Sequence, residues 1–170
     1  RNDKGRGWRG VLSRVFVQDE RRDSILPHGF YGKTGFMSSS PIGIFDSGIG
    51  GLSVLRAIRA LLPDEAVIYF ADQGHIPYGP RPAGEIQTYT AEITRFLLRH
   101  GAKLIVVACN TATAAALDFL RSAFPDVQFV GMEPAVKPAA LTTRSGKVGV
   151  LATPSTLNTH RYAGLMARFA

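Results

Sequence analysis

The apolar run Leu104-Ile-Val-Val-Ala108 passes without a spacer into Cys109-Asn110-Thr111, and then into a stretch with alanine at positions 112, 114, 115 and 116. A strand of β-branched residues that runs straight into a helix opened by small polar residues is how parallel α/β proteins are built, and the loops at the carboxyl ends of such strands form the ligand crevice. Cys109 is the only cysteine of the chain. Its thiol is expected over the first N–H groups of the helix, which favour the thiolate and lower its pKa. A buried structural cysteine is the plainer alternative, since free cysteine is among the most buried residue types.

The same alternation runs along the chain from Pro41. Ile42–Phe45 reads as a strand ending at Asp46-Ser47, Gly48–Gly51 as a turn, and Leu52–Leu62 as a helix with Leu52, Leu55, Ile58 and Leu62 on one face. Ala66–Phe70 is a second strand, followed by a loop holding Gly74, Pro77, Gly79, Pro80, Pro82 and Gly84. Glu85–His100 is a second helix with Ile86, Tyr89, Ile93, Phe96 and Leu97 as its buried stripe and Gly101 as its cap. Lys103–Ala108 and Thr111–Ala123 supply the third strand and helix, whose alanines favour helix and allow close packing. Val127–Gly131 is a fourth strand. Pro134 and Pro138 then limit the next segment to a short or kinked helix. Lys147–Ala152 reads as a fifth strand, and Thr153-Pro154-Ser155 opens a last helix. The predicted fold is therefore α/β, with a mainly parallel, doubly wound sheet.

Composition narrows the classes. With 170 residues, 45% hydrophobic and 19% charged, the chain suits a globular domain with a sizeable core. No apolar stretch has bilayer-spanning length, no apolar signal region stands near the start, and a single cysteine fits a reducing cytoplasm. The net charge of +7 invites a nucleic-acid reading until it is located. Residues 1–36 carry eight Lys/Arg against four Asp/Glu, and residues 37–170 carry twelve against nine, spread along the chain. No basic stripe interleaved with aromatics occurs in the latter, so neither nucleic acid nor a membrane is an expected partner. Residue 1 is Arg1 and the first methionine is Met37. Residues 1–36 are accordingly expected to be a disordered leader or translated upstream sequence, with a basic targeting arm as the functional alternative.

Three polar clusters fall at strand ends or in the loop after one: Asp46-Ser47, Pro77-Tyr78-Gly79 and Cys109-Asn110-Thr111. In a doubly wound sheet these converge on one rim. Together they supply a candidate base in Cys109, a carboxylate to activate it in Asp46, and donors without a permanent cation. Ser47, Asn110, Thr111 and helix-opening N–H groups suit a small carboxylate such as an amino or organic acid. Each piece also has a plainer duty: Asp46-Ser47 as a cap of the first helix, Tyr78-Gly79 as a surface turn, Asn110-Thr111 as a cap of the third helix. Their coincidence favours chemistry. Gly48-Ile-Gly-Gly51 lacks the full dinucleotide fingerprint, and no Lys-Ser/Thr comes after it as a phosphate loop requires. His28, His75, His100 and His160 have no metal-ligand spacing to one another or to Cys109, so no metal is expected. His75 reads as a solvent-facing turn residue. Glu133-Pro134, also at a strand end, either binds a substrate amine or caps the short helix after it.

These residues resemble the glutamate racemases of the aspartate/glutamate racemase superfamily. The resemblance is carried by Ile44-Phe-Asp-Ser-Gly-Ile-Gly-Gly-Leu-Ser-Val54, Pro77-Tyr-Gly79, Lys103-Leu-Ile-Val-Val-Ala-Cys-Asn-Thr-Ala-Thr-Ala114, Glu133-Pro-Ala-Val-Lys-Pro138 and Gly149-Val-Leu-Ala-Thr153. It runs from about Pro41 to the end of the chain, and the loop Asp72–Ile76 departs from the more usual sequence. It implies interconversion of L- and D-glutamate without pyridoxal phosphate, metal or other cofactor, feeding peptidoglycan synthesis in the bacterial cytoplasm. Cys109 would take the α-proton of D-glutamate with help from Asp46. Asp46, Ser47, Tyr78, Gly79, Asn110 and Thr111 would bind the substrate.

The family has two similar α/β domains with the site between them, and a homodimer is the candidate assembly of the complete protein. Residues 41–141 are expected to form the first domain and 147–170 the start of the second. Inversion requires an acid on the opposite face of the α-carbon, which in the family is a second cysteine. The expectation is that this cysteine lies beyond Ala170, and that the 170-residue chain by itself does not racemise glutamate. The rivals are a related aspartate or hydantoin racemase, a cofactor-free decarboxylase, and a non-catalytic small-acid binding protein on the same fold.

Overall fold

The computed structural model describes residues 14–18, as backbone, and residues 40–169. In chain order the elements are β1 (Arg14–Gln18), β2 (Ile42–Asp46), α1 (Leu52–Leu61), β3 (Val67–Ala71), α2 (Ala83–Arg99), β4 (Leu104–Val107), α3 (Asn110–Ala123), β5 (Phe129–Gly131), α4 (Val136–Thr142), α5 (Pro154–Leu157) and α6 (His160–Phe169). They form one sheet of order β1-β3-β2-β4-β5. From β3 to β5 all neighbours are parallel, as the strand–helix alternation predicts, and β1 joins the β3 edge antiparallel.

The strand at Arg14–Gln18 departs from the expectation of a wholly disordered leader. Val15-Phe16-Val17 is a β-favouring run, and the free edge of β3 offers it unpaired backbone groups. The rest of residues 1–36 lies outside the described residues.

The core sits on both faces of β2, β3 and β4, every residue of β2 and β3 being buried. On one face Phe45, Ile68, Phe70, Ile105 and Val107 meet Ile86, Ile93 and Leu97 of α2 and Ala112, Ala116, Leu117 and Leu120 of α3. The alanines of α3 let its backbone lie close to the sheet, and each fully buried Leu or Ile contributes about 1.5–3 kcal/mol. The α2 stripe is as the periodicity predicts, with Tyr89 and Phe96 partly buried at its margin. Gly101 ends α2 at φ +82°, where its N–H donates to the Leu98 carbonyl and that of Ala102 to Leu97.

On the other face Ile42, Ile44, Val67, Tyr69, Ala71, Val106 and Ala108 are covered by Val54, Leu55 and Ile58 of α1. Here the expected stripe is corrected. Leu52 and Leu62 are exposed, because Leu52 lies in the first turn, Leu62 lies past the helix end, and Val54 takes the inward place.

The strand expected at Lys147–Ala152 does not form. No strand among the described residues pairs with it, and Leu151 is fully exposed. A strand needs a hydrogen-bonded neighbour, which local sequence does not guarantee. The helix opened by Pro154 divides into α5 and α6, with Asn158 and Thr159 between them.

Candidate functional site

In the order β3-β2-β4-β5 the chain steps from β2 to one side, and then returns past β2 to the other. The carboxyl ends of β2 and β4 thus flank the switch point, where open α/β sheets bind ligands. Asp46 ends β2 and Cys109 comes after β4. Their backbones are tied across the rim. The Ala108 N–H donates to the Phe45 carbonyl at 2.8 Å, and the Asp72 N–H donates to the Asp46 carbonyl at 2.9 Å.

Cys109 is the N-cap of α3, in extended backbone, and its Sγ accepts the Ala112 N–H at 3.4 Å. The capping duty offered to Asn110-Thr111 therefore belongs to Cys109, and Asn110 is the first helical residue, exposed at the rim. Ser47 Oγ lies 3.5 Å from the same sulfur. The expected lowering of the thiol pKa is corrected. Burial pushes it up, and outweighs the Ala112 N–H and the Ser47 contacts that pull it down; the Asp46 charge adds to the upward push. A helix N-terminus lowers a pKa only as far as desolvation allows, and Cys109 is 8% exposed.

Asp46 is buried, and its Oδ2 accepts the Gly51 N–H at 2.9 Å. It thus ties down the residue that precedes α1 while remaining at the rim. Ser47 faces the thiol rather than the helix.

Tyr78 is no surface turn. It is 2% exposed, and its hydroxyl donates to Asp72 Oδ2 at 2.6 Å. Burial first, then the Asp72 carboxylate, drives its pKa far up. His75, expected to face solvent, is instead held by Asp72 at 2.8 Å and stacked on Tyr89 at 3.9 Å. Arg81 Nε donates to the His75 carbonyl at 2.7 Å, and its guanidinium donates to Glu85 of α2 at 3.0 Å, which ties the loop to α2. The Gly79 carbonyl accepts from Ser155 Oγ.

Thr111 is buried, with its hydroxyl 3.0 Å from that of Thr153, which in turn lies 3.1 Å from that of Thr156. Sequence reasoning placed Thr153 at a helix start and missed it as a neighbour of the site. The available signal was the fifth apolar stretch, which runs into small polar residues at Ala152-Thr153-Pro154-Ser155-Thr156. Tyr69, which within a strand reads as plain core, brings its hydroxyl oxygen to 2.8 Å from the place a Cβ on Gly51 would take. Glu133 lines one pocket with Asn110 and Thr156 and pairs there with Arg161 at 3.3 Å, while the N-cap of α4 is Ala135. Among the described residues no group of three or more His, Cys, Asp or Glu side chains is arranged to hold a metal ion. The rim therefore presents a thiol, a carboxylate and hydroxyl, amide and N–H donors, a set able to orient a small acid and exchange a proton with it.

A family model for Asp/Glu/hydantoin racemases matches residues 43–170, which includes every one of these groups. The chain belongs to the Asp/Glu/hydantoin racemase family. A glutamate racemase of Ectopseudomonas mendocina is 59% identical to this racemase-family chain over 133 residues, covering 78% of the chain and 51% of the relative. Among solved structures, Escherichia coli glutamate racemase, in complex with L-glutamate and the activator UDP-MurNAc-Ala, superposes with a TM-score of 0.69 at 45% identity, covering 77% of this chain and 50% of that one. Francisella tularensis glutamate racemase, in complex with D-glutamate, gives 0.63 at 36% identity, covering 76% and 48%. The chain thus spans about half the length of the racemases it matches.

Proposed function

We propose that the complete protein interconverts L- and D-glutamate by proton transfer at the α-carbon, with Cys109 as one of two bases. The observation that carries this is Cys109 capping α3 at the switch point with Ser47 beside its sulfur. The similar glutamate racemases, two of them with a glutamate enantiomer bound, support glutamate as the substrate. The α-proton beside a carboxylate is weakly acidic, so negative charge building up on removal must meet placed donors. Asn110, Thr111, Ser47 and the backbone of Tyr78-Gly79 are assigned that binding role, and Asp46 is assigned the support of Cys109 during proton removal. The thiolate takes the proton and becomes a thiol; an acid on the opposite face returns a proton, and inversion results. That acid is assigned to a second cysteine in the part of the relatives' length that this chain does not span.

We assign residues 41–141 to the first domain of such a protein and 147–170 to the start of the second. Its place is the cytoplasm, its partner a small-molecule substrate, its assembly a homodimer, and its product D-glutamate for peptidoglycan. Among the described residues no helix is long and apolar enough to cross a membrane.

The test is circular dichroism of each glutamate enantiomer incubated with the full-length gene product. Loss of optical rotation from either enantiomer, with aspartate left unchanged, is the expected result. Cys109→Ala should abolish it; retained racemisation in that variant removes Cys109 from the mechanism.

A further inference from the structure

We propose that Tyr69 is a positioning residue: its hydroxyl, together with the Gly51 N–H, fixes the orientation of the Asp46 carboxylate beside Cys109. This rests on the proposed function. In the parallel β2–β3 pair Ile44 is level with Tyr69 and Asp46 with Ala71, so Tyr69 starts two residues below the rim on the face that Asp46 shares. The ring spans that distance. A Cβ placed on Gly51 would lie 2.8 Å from the Asp46 Cβ, 2.8 Å from the Tyr69 hydroxyl oxygen and 3.0 Å from the Ala108 Cβ. The hydroxyl, the carboxylate-bearing residue and the N–H that Asp46 Oδ2 accepts therefore converge on one point.

The rest of this face is Ile42, Ile44, Val67, Ala71, Val106 and Ala108. Phenylalanine would satisfy such surroundings, and a phenolic hydroxyl taken into them needs a polar neighbour to offset its desolvation. Asp46 is the carboxylate that shares this face and acts on the hydroxyl. Burial first, and then the charge and hydrogen bonding of Asp46, keep the Tyr69 phenol protonated and hence a donor. The Asp46 charge also acts on the Cys109 thiol, so a carboxylate held in one place gives the base a constant electrostatic setting.

The experiment is Tyr69→Phe in the full-length gene product, with steady-state kinetics on both enantiomers and on their α-deuterated forms. The expected result is a fall in kcat of about tenfold, the scale of one lost hydrogen bond to a charged group, with KM within about twofold. The primary isotope effect should rise for the enantiomer that Cys109 deprotonates and stay unchanged for the other, a pattern that mere loosening of the core would not produce. Unchanged kcat, or a fall with no difference in isotope effect between the enantiomers, overturns the proposal. Gly51→Ala gives a second route should Tyr69→Phe fail to accumulate. It crowds the same point with the hydroxyl intact and should show the same one-sided isotope effect; wild-type kinetics there also overturn it. Cys109→Ser is run alongside. An active Cys109→Ser means that the proposed function itself has failed, whereas an inactive one beside a wild-type-like Tyr69→Phe rejects the Tyr69 role alone.

Discussion

At the scale of single residues, Cys109 carries opposing influences that separate by their dependence on burial. The Ala112 N–H and Ser47 stabilise the thiolate, while desolvation and Asp46 disfavour it, and the net direction is upward. In the free full-length protein the alkylation of Cys109 by iodoacetamide, tracked on its own peptide by mass spectrometry, should have its midpoint above that of an exposed thiol, about pH 8.5. A midpoint at or below that value would mean that the N–H groups dominate. Ser47→Ala removes the side-chain member of the three stabilising contacts and should move the midpoint higher still. The same shift sets the sign for stability. The folded thiol holds its proton longer than the unfolded one, so this contribution is complete below the unfolded pKa and is lost as pH rises through the folded pKa.

At the scale of elements, the helices differ in how much they depend on the sheet. Leu97 of α2 and Leu120 of α3 are fully buried in the larger cluster, whereas Leu61 of α1 is 80% exposed. Truncating Leu97 or Leu120 to alanine should cost about 2–5 kcal/mol, from lost transfer energy plus the cavity left behind. Leu61→Ala should stay within about 0.5 kcal/mol. Urea denaturation of the three variants checks this, and equal costs would mean that the face of α1 is covered in solution. The helices of the larger cluster were legible because Ile86, Ile93 and Leu97 repeat at helical spacing and all find the sheet. The stripe on α1 was half legible: its period is right, but which leucines at its ends turn inward depends on where the helix starts and stops against β2 and β4. Lys147–Ala152 was misread because its apolar alternation is that of a strand, while strand formation depends on a neighbour that the local sequence does not encode.

At the scale of the whole molecule, β2 and β4 lie at the centre of the sheet, with paired neighbours on both sides and helices on at least one face. Residues 147–153 have no strand partner among the described residues. Amide hydrogen exchange should therefore find Ile44, Phe45, Val106 and Val107 among the slowest to exchange, and Val148 to Leu151 among the fastest. Strong protection at 148–151 in the full-length protein would show that this segment acquires a strand partner there. Arg161 of α6 bridges Asp118 of α3 and Glu133 after β5. These are partly exposed pairs, so Arg161→Ala should cost less than about 1 kcal/mol by thermal melting at ordinary salt.

The sequence by itself determined the strand–helix alternation, the parallel sheet, the placement of Asp46, Ser47 and Cys109 at strand ends, and a family resemblance that the match over residues 43–170 bears out. Each of these is written in local periodicity or in contiguous motifs. The tertiary structure alone decided that the thiol is raised rather than lowered, that the Tyr78 hydroxyl is taken by Asp72, that His75 is stacked on Tyr89, and that the Tyr69 hydroxyl comes up to Gly51, whose N–H Asp46 accepts. They depend on desolvation and on how side chains turn toward one another, even within the one loop that holds both Asp72 and Tyr78. Those quantities exist only once the sheet has closed over its two cores.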